Sequence, residues 1–163
     1  MFSSPTRWLA LTLLALASLG TSAQEIPQAR EIVDSERSAQ FGAYTIHFSV
    51  FNSAFVPPDI AEIYQINRAS NRALINISVT REDDGKTSLG LPAEVTGTAS
   101  NLLQQMRTLD FQTISEGDAT YYLADLKHTN EEVFNFAISV TPEGTDTPLN
   151  VKFSRKLYLQ GGE

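Results

Sequence analysis

The chain has 163 residues, carries 12 Lys and Arg against 19 Asp and Glu, and contains no cysteine. A net charge of −7 argues against a nucleic-acid partner, because phosphates are bound by clustered Lys and Arg. The same negative net charge, together with the absence of a run of Lys and Arg, disfavours docking on anionic lipid. The absence of cysteine excludes disulfides, thiol catalysis and thiolate zinc sites, so the core alone must hold the fold together.

The first 23 residues have the composition of an export signal. Arg7 provides the positive charge, residues 8–17 form an uncharged apolar run, and residues 21–23 are the small residues typical of a cleavage site. The run is shorter than the roughly 18 to 20 apolar residues that cross a bilayer, so we expect no permanent span. The small residues favour cleavage over the alternative of an uncleaved anchor. We therefore expect an exported protein of the bacterial periplasm, with no membrane span after cleavage.

The rest of the chain divides into a lead-in and one domain. Residues 24–40 are polar and charged, and we interpret them as the lead-in, partly disordered at its start. Residues 41–163 are predicted to form a single domain, since a chain of this length buries enough surface for one core.

Alternating apolar and polar residues predict short strands along this domain. Clear alternation predicts strands at residues 43–51 and 72–80, and residues 119–127 and 132–141 are strong strand candidates. Residues 89–99 are a weaker strand, and further strands are expected at 109–113 and 149–159. Pro92 and Gly97 favour an edge or bulged position for the strand that contains them. The dipeptide Asp84-Gly85 predicts a hairpin turn, because it suits positive φ.

Two short segments are predicted to form helical turns. Pro58 suits the first position of a helix and Asp59 its positive end, and residues 60, 63 and 64 would share an apolar face. Asn101 and Gln104 are spaced to cap a second, single turn. Since about seven strands accompany these turns, we predict an all-β fold, an antiparallel two-sheet sandwich of immunoglobulin-like type. A small closed barrel is the alternative.

No catalytic motif is present. The sequence lacks a Gly-x-Ser-x-Gly elbow, a phosphate loop and a dinucleotide fingerprint. His128 precedes Glu131 and Glu132, but the spacing does not match a zinc protease and favours a solvated turn. The acidic segment 82–85 lacks the ligand pattern of a calcium loop. We therefore predict no catalytic residue, no metal site and no cofactor, and leave open whether the protein is an enzyme.

Residues 52–76 form the most unusual connection in the chain. Long ordered loops on a rigid sheet commonly carry binding residues, and the candidate binding residues are His47, Asn52, Phe55, Tyr64, Arg68 and Asn76. The alternative is that this connection caps an open end of the sandwich, with Tyr64 packed and Arg68 bonded to loop carbonyls. His47 also suits an ordinary hydrogen-bonded or exposed position in a strand.

Three stretches resemble a known family. Residues 52–58 with Tyr64 and Arg68, residues 74–79 and residues 116–123 are similar to a family of bacterial exported proteins, domain of unknown function 4426. The resemblance covers essentially the whole mature chain and implies a signal peptide and a small β-rich secreted domain. It implies no activity, cofactor or catalytic residue.

The leading functional hypothesis is a non-enzymatic periplasmic module that binds another envelope protein or an envelope component. An exposed strand edge or the 52–76 connection would form the contact. The alternative is a small-molecule-binding protein or hydrolase with a cleft near His47, Tyr64 and Arg68. A purely structural envelope protein is a third possibility.

Overall fold

The computed structural model describes residues 30–32 and 37–160. The predicted export signal lies outside this part of the chain. The described residues form eleven strands: β1 (Arg30–Ile32), β2 (Ser38–Phe41), β3 (Tyr44–Asn52), β4 (Arg72–Asp83), β5 (Lys86–Thr87), β6 (Ala93–Asn101), β7 (Met106–Thr108), β8 (Gln112–Glu116), β9 (Ala119–Lys127), β10 (Glu132–Pro142) and β11 (Leu149–Leu157). A 3-10 turn (Ser53–Phe55) and one helix, α1 (Pro58–Ile63), follow β3.

The strands form two packed sheets. The first sheet has the order β2-β3-β4-β9-β8, with β5 paired to β4, and the second has the order β1-β11-β10-β6-β7. All pairs are antiparallel except β1 with β11. The predicted all-β, two-sheet sandwich is confirmed. Since β1 and all of β2 except its last residue lie within residues 24–40, the predicted lead-in contributes to a strand in each sheet.

The core lies between the sheets and follows the alternation of the sequence. On β4, residues 73, 75, 77 and 79 are buried, while the side chains between them lie on the outer face. Phe48 of the first sheet stacks on Phe153 of the second at a centroid distance of 4.6 Å, and Phe153 stacks on Phe136 at 4.9 Å. This aromatic stack joins the two layers.

The connections gather at two ends of the sandwich, because successive strands run in opposite directions. We call one the His128 end: it contains the 53–71 connection, the 102–105 and 128–131 turns and the residues after 157. We call the other the Gly85 end: it contains the 84–85, 117–118 and 143–148 turns. Asp84 and Gly85 have φ of 49° and 73°, as the predicted hairpin turn requires.

One local prediction is wrong. Residues 101–104 do not form a helical turn but the start of the tight β6–β7 turn, in which Asn101 Oδ1 accepts hydrogen bonds from the backbone N–H groups of Leu103 and Gln105 at 3.1 and 3.0 Å. The short helix predicted to begin at Pro58 is present as α1, with Ala61 packed inward and Ile63 68% exposed.

The predicted edge position of residues 89–99 is only partly correct. β6 pairs with β10 along its length and with β7 over residues 98–100, so it lies inside its sheet there. Gly97 has a packing role instead, because a Cβ at this position would lie 2.6 Å from Cδ1 of buried Ile138.

No helix in the described part of the chain is long and apolar enough to cross a membrane.

Candidate binding groove

The 53–71 connection crosses the outer face of the first sheet and forms an open groove of about 340 Å³ against it. The sheet forms the floor with Leu74, Asn76, Ile114, Tyr121 and Leu123, and the connection forms the opposite wall with Phe55, Val56, Pro57, Ile60 and Tyr64. A groove of this size lies at the lower end of the range for small-ligand sites. It can hold one or two large apolar side chains.

The floor is apolar because two neighbouring strands carry large apolar residues on their outer face. Tyr121 of β9 is paired with Ile114 of β8, and Leu123 of β9 is paired with Asn76 of β4. Such residues would normally contact water on this face of an antiparallel sheet. Here the connection covers them, so that Ile114 is buried and Leu74 packs with Val56 and Ala61.

Hydrogen bonds fix the connection at its two ends. Asn52 is buried, accepts from the Ala54 N–H at 2.9 Å and donates through Nδ2 to Ser70 O at 2.6 Å. Ser53 Oγ lies within 3.2 Å of both Ala69 O and Ala69 N. Arg68 donates through Nη2 to Ala54 O at 3.0 Å. The two ends are thereby held together, which keeps the connection in place over the sheet.

Tyr64 and Glu116 join the connection to the edge of the sheet. The Tyr64 hydroxyl donates a hydrogen bond to Glu116 Oε1 on β8. This bond, followed by burial and by the charge of Glu116, raises the pKa of Tyr64 above its ordinary value of 10.0. The groove therefore has a phenol and a carboxylate at its β8 side, while its other walls are mainly apolar.

Asn76 is the unusual residue of the floor. Its Oδ1 is the one buried side-chain oxygen or nitrogen in the described residues that has no hydrogen-bond partner. A buried polar atom without a partner costs about 1 to 3 kcal/mol. Because the terminal amide turns easily about χ2, it can present either its oxygen or its nitrogen to a group that enters the groove.

The structure brings together only some of the residues selected from the sequence. Phe55, Tyr64 and Asn76 line the groove, and Asn52 fixes the start of the connection. Arg68 is bonded to a loop carbonyl, as the structural alternative predicted, and does not line the groove. His47 is exposed, with Nε2 3.0 Å from Thr80 Oγ1, and also lies outside the groove. The groove thus does not unite His47, Tyr64 and Arg68.

Sequence reasoning missed Glu116 and the apolar floor. One signal was present: β9 carries large apolar residues on both of its faces, with Tyr121 and Leu123 opposite Tyr122 and Leu126. A strand with one solvated face would not need this pattern.

The surroundings of His128 also differ from the solvated turn that was predicted, since it is buried and its Nδ1 lies 2.8 Å from Thr129 O.

The described residues contain no group of three or more His, Asp or Glu placed to hold a metal ion. The architecture is that of an all-β, two-sheet sandwich domain in which the 53–71 connection covers part of one outer face. The chain belongs to the family described as domain of unknown function (DUF4426), whose model matches residues 38–160.

Solved structures show the same fold. A DUF4426 family protein from Pseudomonas aeruginosa is 28% identical, covers 76% of this chain and 95% of its own, and superposes with a TM-score of 0.65. FetP from uropathogenic Escherichia coli, recombinantly expressed in the periplasm of that species, is 11% identical with a TM-score of 0.54, over 76% of this chain and 94% of its own. A copper-bound FetP variant gives the same identity and TM-score, over 75% and 94%. At this identity the likeness to FetP shows the fold alone. No curated protein matches the chain.

Proposed function

We propose that the protein is a non-catalytic binding module of the bacterial cell envelope, and that its groove holds an extended segment of another envelope protein. The observation that carries this proposal is Oδ1 of the half-buried Asn76, a buried oxygen without a hydrogen-bond partner in a largely apolar floor. A peptide backbone offers both an N–H donor and a C=O acceptor, which are the two groups that a side-chain amide complements.

The neighbouring strand edge supports the choice of an extended segment. β8 has a paired strand, β9, on one side only among the described residues, and Ile114 and Glu116 of β8 line the groove. A segment that adds to β8 would form backbone hydrogen bonds and direct alternate side chains into the groove. The edge strand next to the 52–76 connection is β8, and not the strand of residues 89–99 for which the sequence favoured an edge.

The cell envelope is supported by the composition of the first 23 residues, which is that of an export signal. The alternative cleft at His47, Tyr64 and Arg68 has less support, because only Tyr64 lines the groove.

Site-specific photo-crosslinking in living cells tests the proposal. A benzophenone amino acid at position 60, in the groove wall, should form adducts with one envelope protein. The same amino acid at position 89 is the control, since Leu89 is 61% exposed at the Gly85 end. The crosslinked segment, synthesised as a peptide, should then bind the purified protein.

The variant Asn76→Leu makes the test specific to the groove. It keeps the floor apolar and removes the unpartnered oxygen, so it should stabilise the free protein by about 1 kcal/mol while weakening peptide binding at least tenfold. Thermal unfolding and peptide titration measure the two effects. Equal adducts at positions 60 and 89, or unchanged peptide affinity in Asn76→Leu, would contradict the proposal.

A further inference from the structure

The groove carries a single charged side chain, at its β8 side. Of the residues that line it, Glu116 is the one with a carboxylate, and none is a Lys or Arg. The strand and the turn that follows it, residues 112–118, likewise contain two acidic residues and no Lys or Arg. Glu116 forms no ion pair with a described residue. This side of the groove therefore presents a negative charge beside apolar walls, and a positively charged group would complement it.

The carboxylate of Glu116 is held in position by one of its two oxygens. Oε1 accepts from the Tyr64 hydroxyl, which ties the side chain to the connection above the sheet. Oε2 accepts no hydrogen bond from the described residues, and the side chain is exposed. A carboxylate oxygen that is fixed in place and open to solvent can accept a short, charge-assisted hydrogen bond from an ammonium or guanidinium group.

The pairing of β8 determines which of its backbone groups are available at the open edge. Glu116 is paired with Ala119 across the two-residue turn that joins β8 to β9. The pair that closes such a turn exchanges both backbone hydrogen bonds, and along an antiparallel pair these bonds alternate with gaps. The backbone groups of Ile114 and Glu116 are thereby used within the sheet. Those of Thr113 and Ser115 point to the open edge.

A strand added antiparallel at this edge would form its backbone hydrogen bonds with Thr113 and Ser115. The residues opposite Ile114 and Glu116 would then be in non-hydrogen-bonded pairs, in which the Cα atoms are about 4.5 Å apart and the side chains are closer. Both of these side chains would lie on the groove face of the sheet, because they are two positions apart in the added strand. One would contact Ile114 and the apolar walls, and the other would meet the carboxylate of Glu116.

Building on the groove function proposed above, we infer that the groove selects an extended segment with a Lys or Arg two positions from a large apolar residue. The basic residue lies opposite Glu116 and the apolar residue opposite Ile114. A second copy of the chain does not supply this pattern from its own β8. If β8 paired antiparallel with itself about Ile114, Gln112 of one copy would lie opposite Glu116 of the other, without a positive charge.

Selection of short random peptides by display on the purified protein tests this specificity. We expect the selected sequences to share a Lys or Arg two positions from a large apolar residue. Selection on Glu116→Lys should replace the basic residue by Asp or Glu, because the charge that it faces is reversed. Glu94→Lys is the matched control, since it makes the same change of charge at an exposed position of the other sheet and should keep the preference for a basic residue.

The variant Glu116→Gln separates the charge of this side chain from its structural bond. The amide oxygen can still accept from the Tyr64 hydroxyl, so the connection should stay in place. A selected peptide should bind this variant about fivefold more weakly, the upper value for an opposite-charge pair across two strands. The same peptide with Gln in place of its basic residue should bind both proteins equally, and fluorescence titration of the four combinations measures this coupling.

The results distinguish the specificity of the groove from its proposed function. Selection of apolar peptides that share no basic residue, or of the same peptides by Glu116→Lys and the natural protein, would overturn the specificity and leave the groove function in place. A loss of the basic preference in Glu94→Lys would also overturn it, because attraction by the net charge of the chain would then explain the selection. If no peptide is selected and no adduct forms at position 60, the groove function is wrong and the specificity is wrong with it.

Discussion

Glu132 shows how a single side chain can tie three segments of this fold together. Its Oε1 accepts from Asn101 Nδ2 at 3.1 Å, and its Oε2 accepts from the backbone N–H and the hydroxyl of Thr129 at 2.8 and 3.0 Å. Burial by itself raises the pKa of Glu132. The hydrogen bonds from Thr129 and Asn101, together with the positive charge of Arg107, outweigh burial, and the pKa falls below the ordinary value of 4.5.

This environment predicts how acid affects the protein. Because the folded-state pKa of Glu132 is lowered, the ionised carboxylate stabilises the fold above pH 4.5, and this contribution is lost as the pH falls through the folded-state pKa. Glu132→Gln should cost about 1 kcal/mol of unfolding free energy at neutral pH. The difference in unfolding free energy between Glu132→Gln and the natural protein, measured by denaturant titration, should shrink below pH 4.5.

A suitable control is Asp118→Asn, which alters an exposed carboxylate in the β8–β9 turn. It should leave the stability nearly unchanged at neutral pH. A difference between Glu132→Gln and the natural protein that stayed constant across the acid range would show that the hydrogen-bonded carboxylate is not the source of the effect.

At the level of elements, the sequence predicted the strands because alternation is a local property. Pro58 as the first residue of α1 and the Asp84-Gly85 turn were predicted for the same reason, since each depends on the φ that its residues adopt. Asn101 misled the helix prediction because a side-chain oxygen that accepts from nearby N–H groups occurs in tight turns as well as at helix starts.

The groove could not be predicted in the same way. It needs outer-face residues of β8 and β9 to lie beneath a connection that precedes them by about fifty positions, and periodicity carries no information about that contact. Tyr64 illustrates this point, because its partner Glu116 is 52 residues away in the chain. Candidate residues within the connection could therefore be predicted from the sequence, whereas their partners on the sheet could not.

The segment that leads from β5 to β6 allows a test of close packing between elements. Gly90 O accepts from the Thr120 N–H at 2.9 Å, and the Leu91 N–H donates to Val79 O at 2.8 Å, so this segment lies directly against the first sheet. A Cβ on residue 90 would lie 2.3 Å from Thr120 O. Because a backbone atom cannot rotate away, Gly90→Ala should destabilise the protein by about 3 kcal/mol in denaturant titrations.

Gly144→Ala is the control for that substitution. Gly144 has a φ of +79°, and a Cβ there would meet nothing within 4 Å, so the variant measures backbone strain without a clash. It should cost about 1 kcal/mol. If Gly144→Ala lowered the unfolding free energy as much as Gly90→Ala, the close approach to Thr120 would not explain the loss of stability in Gly90→Ala.

For the molecule as a whole, the question is whether the two sheets unfold together. The chain has no cysteine, so the layers are joined by packing, and Phe153 stands at the centre of the stack that links Phe48 to Phe136. Phe153 is 3% exposed. Phe153→Leu removes both ring contacts and leaves a small void, which should cost about 2 kcal/mol.

A common core predicts a single cooperative transition for this variant and for the natural protein. Far-ultraviolet circular dichroism reports the strands of both sheets, and near-ultraviolet circular dichroism reports the packing of the aromatic rings. Their midpoints should coincide and should fall together in Phe153→Leu. Phe55→Leu, at a position that is 64% exposed, should shift neither midpoint appreciably. If the two signals separated in Phe153→Leu, each sheet would have a stability of its own, and the aromatic stack would not be what couples them.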